Sequence, residues 1–231
     1  MAVATVVSSP SAFTSIVTLF GVGVLVTEFL MLRAHLLRSQ VRLYMVQSSL
    51  VAAVALATGI EQGNSGLYAV SALSFIIKVV IVPMVILRLM RVDSADLSQS
   101  AIMKLPSMLY IALVTAACGF FIGVPFRTAS VIGRGTATAG NAVPIDIAIV
   151  LVAFTLIVLR RDVISQVAGF FSLENGITLF SISVARNMPF ITDVATFFDL
   201  LVAAVVFGLL MRLHHMKTRT LSTHVLDRLK G

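Results

Sequence analysis

In the stretch FSLENGITLF, residues 171–180, an acidic side chain, Glu174, interrupts a run otherwise fit for a lipid bilayer. Lys78 lies similarly deep inside FIIKVVIVPMVI, residues 75–86. An ionisable group at mid-bilayer is costly, so it faces a bundle interior, a water-filled path or a partner subunit. A carboxyl and an amine can each exist charged or neutral, and where two such groups approach, protonating one alters the affinity of the other. That is the chemistry of a proton relay; the alternative is a buried pair that only fixes helix packing. Asp199, about five residues into the last apolar run, either joins the same path or acts as a cap reached by water. Glu28 precedes Arg33 by about a turn and is expected to snorkel or pair with it, while Asp146 follows Pro144 and reads as an N-terminal cap. These two, with Gln47, are the secondary candidates for such a path.

The other chemistry-bearing residues exclude several classes. One cysteine, Cys118, excludes a disulfide framework, an all-cysteine iron–sulfur site and paired thiolates for a nickel–iron centre in this chain. His35, His214, His215 and His224 all fall in loops or the tail, so no pair is placed to clamp a haem inside the bundle. His214 and His215, beside Arg212 and Lys217, read first as a solvated basic end near lipid headgroups. The chain has no GxxxxGK[ST] loop for a nucleotide. No catalytic, metal or cofactor site of its own is expected.

The elements that must position these residues are membrane helices. Of 231 residues, 58% are apolar and 12% charged, and the mean hydropathy of +1.04 is far above that of a soluble domain. The net charge of +7 would suggest nucleic acid in a soluble protein, but here the basic residues lie between apolar stretches, so nucleic acid is discarded. A bilayer core takes roughly 20 apolar residues per helix. That places seven spans at about 12–32, 43–60, 67–90, 105–125, 144–159, 163–185 and 194–213, with Pro189 marking the last turn. The N-terminal region lacks a basic segment before its apolar run, so the first helix is expected to be retained. Thirteen Lys and Arg fall on one set of alternate loops and the tail, against Arg127, Arg134 and Arg186 on the other. This bias puts the N-terminus outside and the C-terminus in the cytoplasm.

An internal repeat emerges when SQVRLYMVQSSLVAAVAL (39–56) is laid on SQVAGFFSLENGITLFSI (165–182). Each copy follows a basic cluster and precedes a helix ending in Leu-Met-Arg, at 89–91 and 210–212, which sets Lys78 opposite Asp199. The expected fold is therefore all-α and polytopic, two parallel three-helix repeats joined by one helix. Its parts are an N-terminal repeat (1–92), a connecting helix with loops (93–143), a second three-helix unit (144–214) and a basic cytoplasmic tail (215–231). In the first copy Gln47 and Ser48 replace Leu173 and Glu174, so that copy lacks the carboxylate and reads as structural. Gly119 and Gly123 form a GxxxG spacing in the connecting helix, read as ordinary small-residue packing.

The segment VLRRDVISQVAGFFSLENGITLF, from residue 158, resembles the second helix of the NuoK subunit of respiratory complex I and of the small subunit of Mrp-type antiporters, where a basic pair precedes a mid-membrane glutamate. The C-terminal LHHMKTRTLSTHVLDRLKG continues the likeness. Over nearly the whole chain the closer resemblance is to the hydrogenase-4 component E family (HyfE), carried by FIIKVVIVPMVI (75–86), QVAGFFSLENG (166–176) and FFDLLVAAVVFGLL (197–210). The resemblance implies a multi-pass, non-redox subunit in the cytoplasmic (inner) membrane of a bacterium or archaeon. Its expected partners are antiporter-like membrane subunits and hydrogenase-type peripheral subunits, with [NiFe] and iron–sulfur centres in those other chains. Glu174 matches the glutamate of the second NuoK helix. Asp199 differs in type from the family's second glutamate and falls about one turn early, while Lys78 matches only the longer HyfE pattern. The expected function is a proton or sodium path through Glu174, Lys78 and Asp199. A purely structural subunit of the arm, or an independent ion transporter, are the competing readings.

Overall fold

The computed structural model describes residues 12–34, 36–63, 65–92, 103–128, 142–161, 163–184 and position 208. Every element among them is helical: α1 (Ala12–Arg33), α2 (Leu37–Gln62), α3 (Ser65–Ser74), a π segment (Phe75–Ile81), α4 (Val82–Val92), α5 (Leu105–Thr128), α6 (Val143–Leu159) and α7 (Val163–Val184). Among the described residues, five stretches are long and apolar enough to cross a membrane: Ser15–Arg33, Leu37–Glu61, Ser71–Arg88, Leu105–Phe126 and Ser165–Val184; α6 is apolar but shorter. The seventh expected span, with Asp199, and the basic tail lie outside the described residues, apart from Gly208.

Local chemistry sets the helix ends. Gly63 closes α2 in the left-handed region, φ 61°, donating its N–H back to Gly59 and Ile60 carbonyls. Pro144 opens α6 in the first turn, where no intrahelical donor is needed. α2 starts at Leu37, earlier than the apolar run, because exposed Arg38 and Arg42 extend the helix beyond the stretch that hydropathy counts. Arg160 is buried, and its Nη2 donates to the carbonyls of Leu32 (2.6 Å), Ala34 (3.2 Å) and Met31 (3.4 Å), satisfying the end of α1.

Small residues let neighbouring helices close. α5 packs on α6 at Gly119, where an added Cβ would lie 2.7 Å from Ala148 Cα, and at Gly123 against Pro144. Thr155 Oγ1 donates to Thr115 Oγ1 across the same interface, at 3.2 Å. α7 packs on α6 at Gly169 against Ile157 and at Gly176 against Ile149 and Val150. α1 and α6 run parallel, with Gly21 beside Ile145 and Leu32 beside Arg160. α2 and α7 also run parallel. Their polar contacts join residues 125 or 127 positions apart, one step to either side of the register that lays Ser39 on Ser165.

The surface is inverted relative to a water-soluble bundle. Leu19, Ile60, Tyr110, Leu113, Phe121 and Phe154 face outward, whereas Glu28, Gln47, Lys78, Asp146, Glu174 and Asn175 are buried. An apolar exterior around a polar interior is compatible with a polytopic membrane protein, whose helices satisfy their own backbone groups. Replacing Gly119 with Val is expected to lower the unfolding midpoint in detergent by several degrees, an overpacking cost of about 1–3 kcal/mol. Cys118→Val, on the exposed side of α5, should leave the midpoint unchanged; equal midpoints for both variants would contradict the close α5–α6 approach.

Candidate functional site

The α2–α7 interface is built from polar positions at heptad spacing, Gln40 and Gln47 on one helix and Ser165 and Ser172 on the other. Two parallel helices meet along such a seam because residues seven apart return to the same face. Ser165 Oγ donates to Gln40 Oε1 at 2.7 Å, and Gln47 Nε2 donates to Ser172 Oγ at 2.7 Å. Between these two links the rings of Tyr44 and Phe171 lie 5.4 Å apart. Further along, one residue past Gln47 and three past Ser172, Asn175 Nδ2 donates to Ser48 Oγ at 3.0 Å.

The charged centre sits against this seam. Lys78 Nζ lies 3.2 Å from Glu174 Oε1, and both side chains are almost wholly shielded, at 2% and 1% exposure. The ammonium also donates to Asn175 Oδ1 at 3.3 Å. Lys78 reaches inward because the rod α3–π–α4 buries Ser71, Ser74, Lys78, Val82 and Ile86 along one side. Residues four apart drift around an α-helix, and the wider π turn returns them to one face; Val82 N–H donates to Ile77 O, five residues back. Desolvating two charges is expensive, and direct contact with an added amide ligand offsets that cost. The pair carries no net charge whether the shared proton rests on nitrogen or on the carboxyl. It can therefore rearrange a proton without creating an isolated charge in the bundle.

Glu28 departs from its expected place. It neither snorkels nor pairs with Arg33; it is fully buried, and its Oε1 accepts from Ser172 Oγ at 2.6 Å and Gln47 Nε2 at 3.2 Å. Arg33 ends α1 and is exposed, whereas the turn holding Glu28 faces α2 and α7. Asp146 is likewise not a cap. α6 begins at Val143, so Asp146 already lies inside the first turn, its N–H bonded to Ala142 O, and its buried Oδ2 accepts from Ser183 Oγ at 2.6 Å. Gln47, whose copy of the repeat reads as lacking a carboxylate, meets one supplied by α1. The structure thus brings Glu174 and Lys78 together and sets Glu28 and Gln47 beside them on the α2–α7 seam, with Asp146 bonded separately to the far end of α7. Ser48, Ser172, Asn175 and Ser183 were missing from the sequence-derived set. The heptad spacing of Ser165 and Ser172, matching that of Gln40 and Gln47, was the signal that would have found Ser172.

No protein-family model matches the chain, and no solved structure matches it. The chain is similar to uncharacterized protein Rv0085 of Mycobacterium tuberculosis, at 28% identity over 202 residues that cover 87% of this chain and 90% of that protein.

Removing Lys78 alone strands a buried carboxylate. Lys78→Met is expected to cost about 3–5 kcal/mol of stability, read as a lowered unfolding midpoint in detergent. Adding Glu174→Leu to Lys78→Met should restore most of the loss, because an apolar pair replaces an ionic one; strictly additive single and double effects would contradict direct pairing.

Proposed function

We propose that this protein is a non-redox subunit of the membrane arm of a hydrogenase-4-like, complex I-related assembly, and that it contributes buried ionisable groups to a proton or sodium path. The observation that carries this reading is the Lys78–Glu174 pair, held at 3.2 Å inside two apolar helices with Asn175 as a third ligand. A charge pair that rearranges without net charge is a coupling element: a change in a neighbouring subunit that draws Lys78 away leaves Glu174 to take up a cation, and its return expels that cation. Asp199 is proposed as a further member of the path. The hydrogenase-4 component E and NuoK likeness in QVAGFFSLENG supports the assembly, as does the amount of large apolar surface on α5 that awaits lipid or neighbours.

In this reading the protein sits in a bacterial or archaeal cytoplasmic membrane with its N-terminus outside. The [NiFe] and iron–sulfur centres belong to partner chains, and this chain holds the ion path steady between antiporter-like subunits. A tagged chain extracted gently should co-purify with those large subunits and with nickel and iron. Glu174→Gln should leave these partners bound and lower ion pumping at least tenfold. Unchanged pumping in an intact complex would contradict the coupling role, and a complex that fails to assemble would favour the purely structural one. Recovery of the chain without partners, together with ion flux after reconstitution alone, would favour an independent transporter.

A further inference from the structure

Beside the Lys78–Glu174 pair, α1, α2 and α7 form a second closed group of polar side chains. Glu28, Gln47 and Ser172 are each fully buried, at 0% exposure, and bond to one another in a ring. The donors of that ring are all used. Ser172 gives its hydroxyl proton to Glu28 Oε1, and Gln47 gives its amide protons to Glu28 Oε1 and Ser172 Oγ. Two acceptors are left over: Glu28 Oε2 and Gln47 Oε1 are buried and receive no hydrogen bond from any described residue. The described residues that bond to Glu28, Ser172 and Gln47, are both neutral.

We infer that the Glu28–Gln47–Ser172 ring is a binding site for a monovalent cation, a proton or a sodium ion, taken at Glu28 Oε2 and Gln47 Oε1. A buried carboxyl oxygen and a buried amide oxygen without a donor call for an electropositive occupant, since each unsatisfied acceptor retains its desolvation penalty. Glu28 is the one carboxylate of the ring, and no cation is among the described residues that bond to it, so an occupant of single positive charge brings the ring to neutrality. All the available ligands are oxygens, which suits a proton or a hard cation and not a soft metal. The ring shares α7 with the ion pair, Ser172 lying less than a turn from Glu174 and Asn175, so the two groups can influence each other through one helix. The inference rests on this geometry and not on the assembly proposed above, and it is tested on the isolated full chain.

The experiment is infrared spectroscopy of the full-length chain in lipid nanodiscs, exchanged between sodium and choline buffers and between water and heavy water, with sodium retention measured by equilibrium dialysis. For a proton, wild type shows a carboxylic-acid carbonyl band that moves in heavy water, persists in sodium, and disappears in Glu28→Gln. For sodium, the acid band gives way to a carboxylate band when sodium is added, and Glu28→Gln loses the retained sodium. A folded Glu28→Gln variant whose acid bands and sodium retention both equal those of wild type would overturn the site. Should Glu28→Gln fail to fold, Ser172→Ala decides: it removes one hydrogen bond from the Glu28 carboxyl, so the band must shift or sodium binding must weaken. An unmoved band with unchanged sodium retention in folded Ser172→Ala would equally overturn it.

Discussion

A charge removed from water must find a partner, and in this protein that requirement joins elements that are far apart in the chain. Lys78 and Glu174 belong to different helices, and the contact between them requires the rod α3–π–α4 and α7 to lie against the same seam. Once Glu174 is placed, Ser172 and Asn175 are turned toward α1 and α2, and the polar ladder from Gln40 to Ser48 has its partners. The apolar exterior follows from the same constraint. With the polar side chains drawn inward, aromatic and aliphatic faces of α1, α2 and α5 are left on the outside.

The backbone adapts to this demand in two places. A π segment of seven residues carries Lys78, in a rod whose buried positions recur every four residues from Ser74 to Ile86. At the end that carries Arg33, Arg160 is withdrawn from solvent and spends its guanidinium on the last carbonyls of α1. This ties α1 to the α6–α7 turn and holds Glu28 at the depth of Ser172. Together with the bonds that Glu28 accepts from Ser172 and Gln47, that tie fixes the register of α1, which apolar contacts alone do not specify.

Much of this was legible in the amino-acid sequence, for reasons that differ from residue to residue. Glu174 and Lys78 stand out because a charge amid an apolar run has few explanations. The Gly119 and Gly123 spacing signals close helix approach because only a missing side chain permits it. Glu28 was misplaced because a nearby arginine in sequence is visible, whereas its actual partner Ser172 lies 144 positions away. Asp146 was misplaced because Pro144 marks a helix start without saying which residue is the first one in the helix. Arg160 was counted among the charges that orient the chain, and nothing local distinguishes it from exposed Arg161. The π segment was also not foreseen, since its local sequence, FIIKVVI, is ordinary for a membrane helix.

The arrangement as a whole rests on direct contact between Lys78 and Glu174. Solid-state NMR on the full chain in lipid bilayers, with lysine side-chain nitrogen and glutamate carboxyl carbon labelled, tests it most directly. One carboxyl signal is expected to show strong dipolar dephasing, lost in both Lys78→Met and Glu174→Gln and corresponding to the 3.2 Å nitrogen–oxygen contact. A Glu174 carboxyl that shows no coupling to any lysine nitrogen in the folded protein would contradict it.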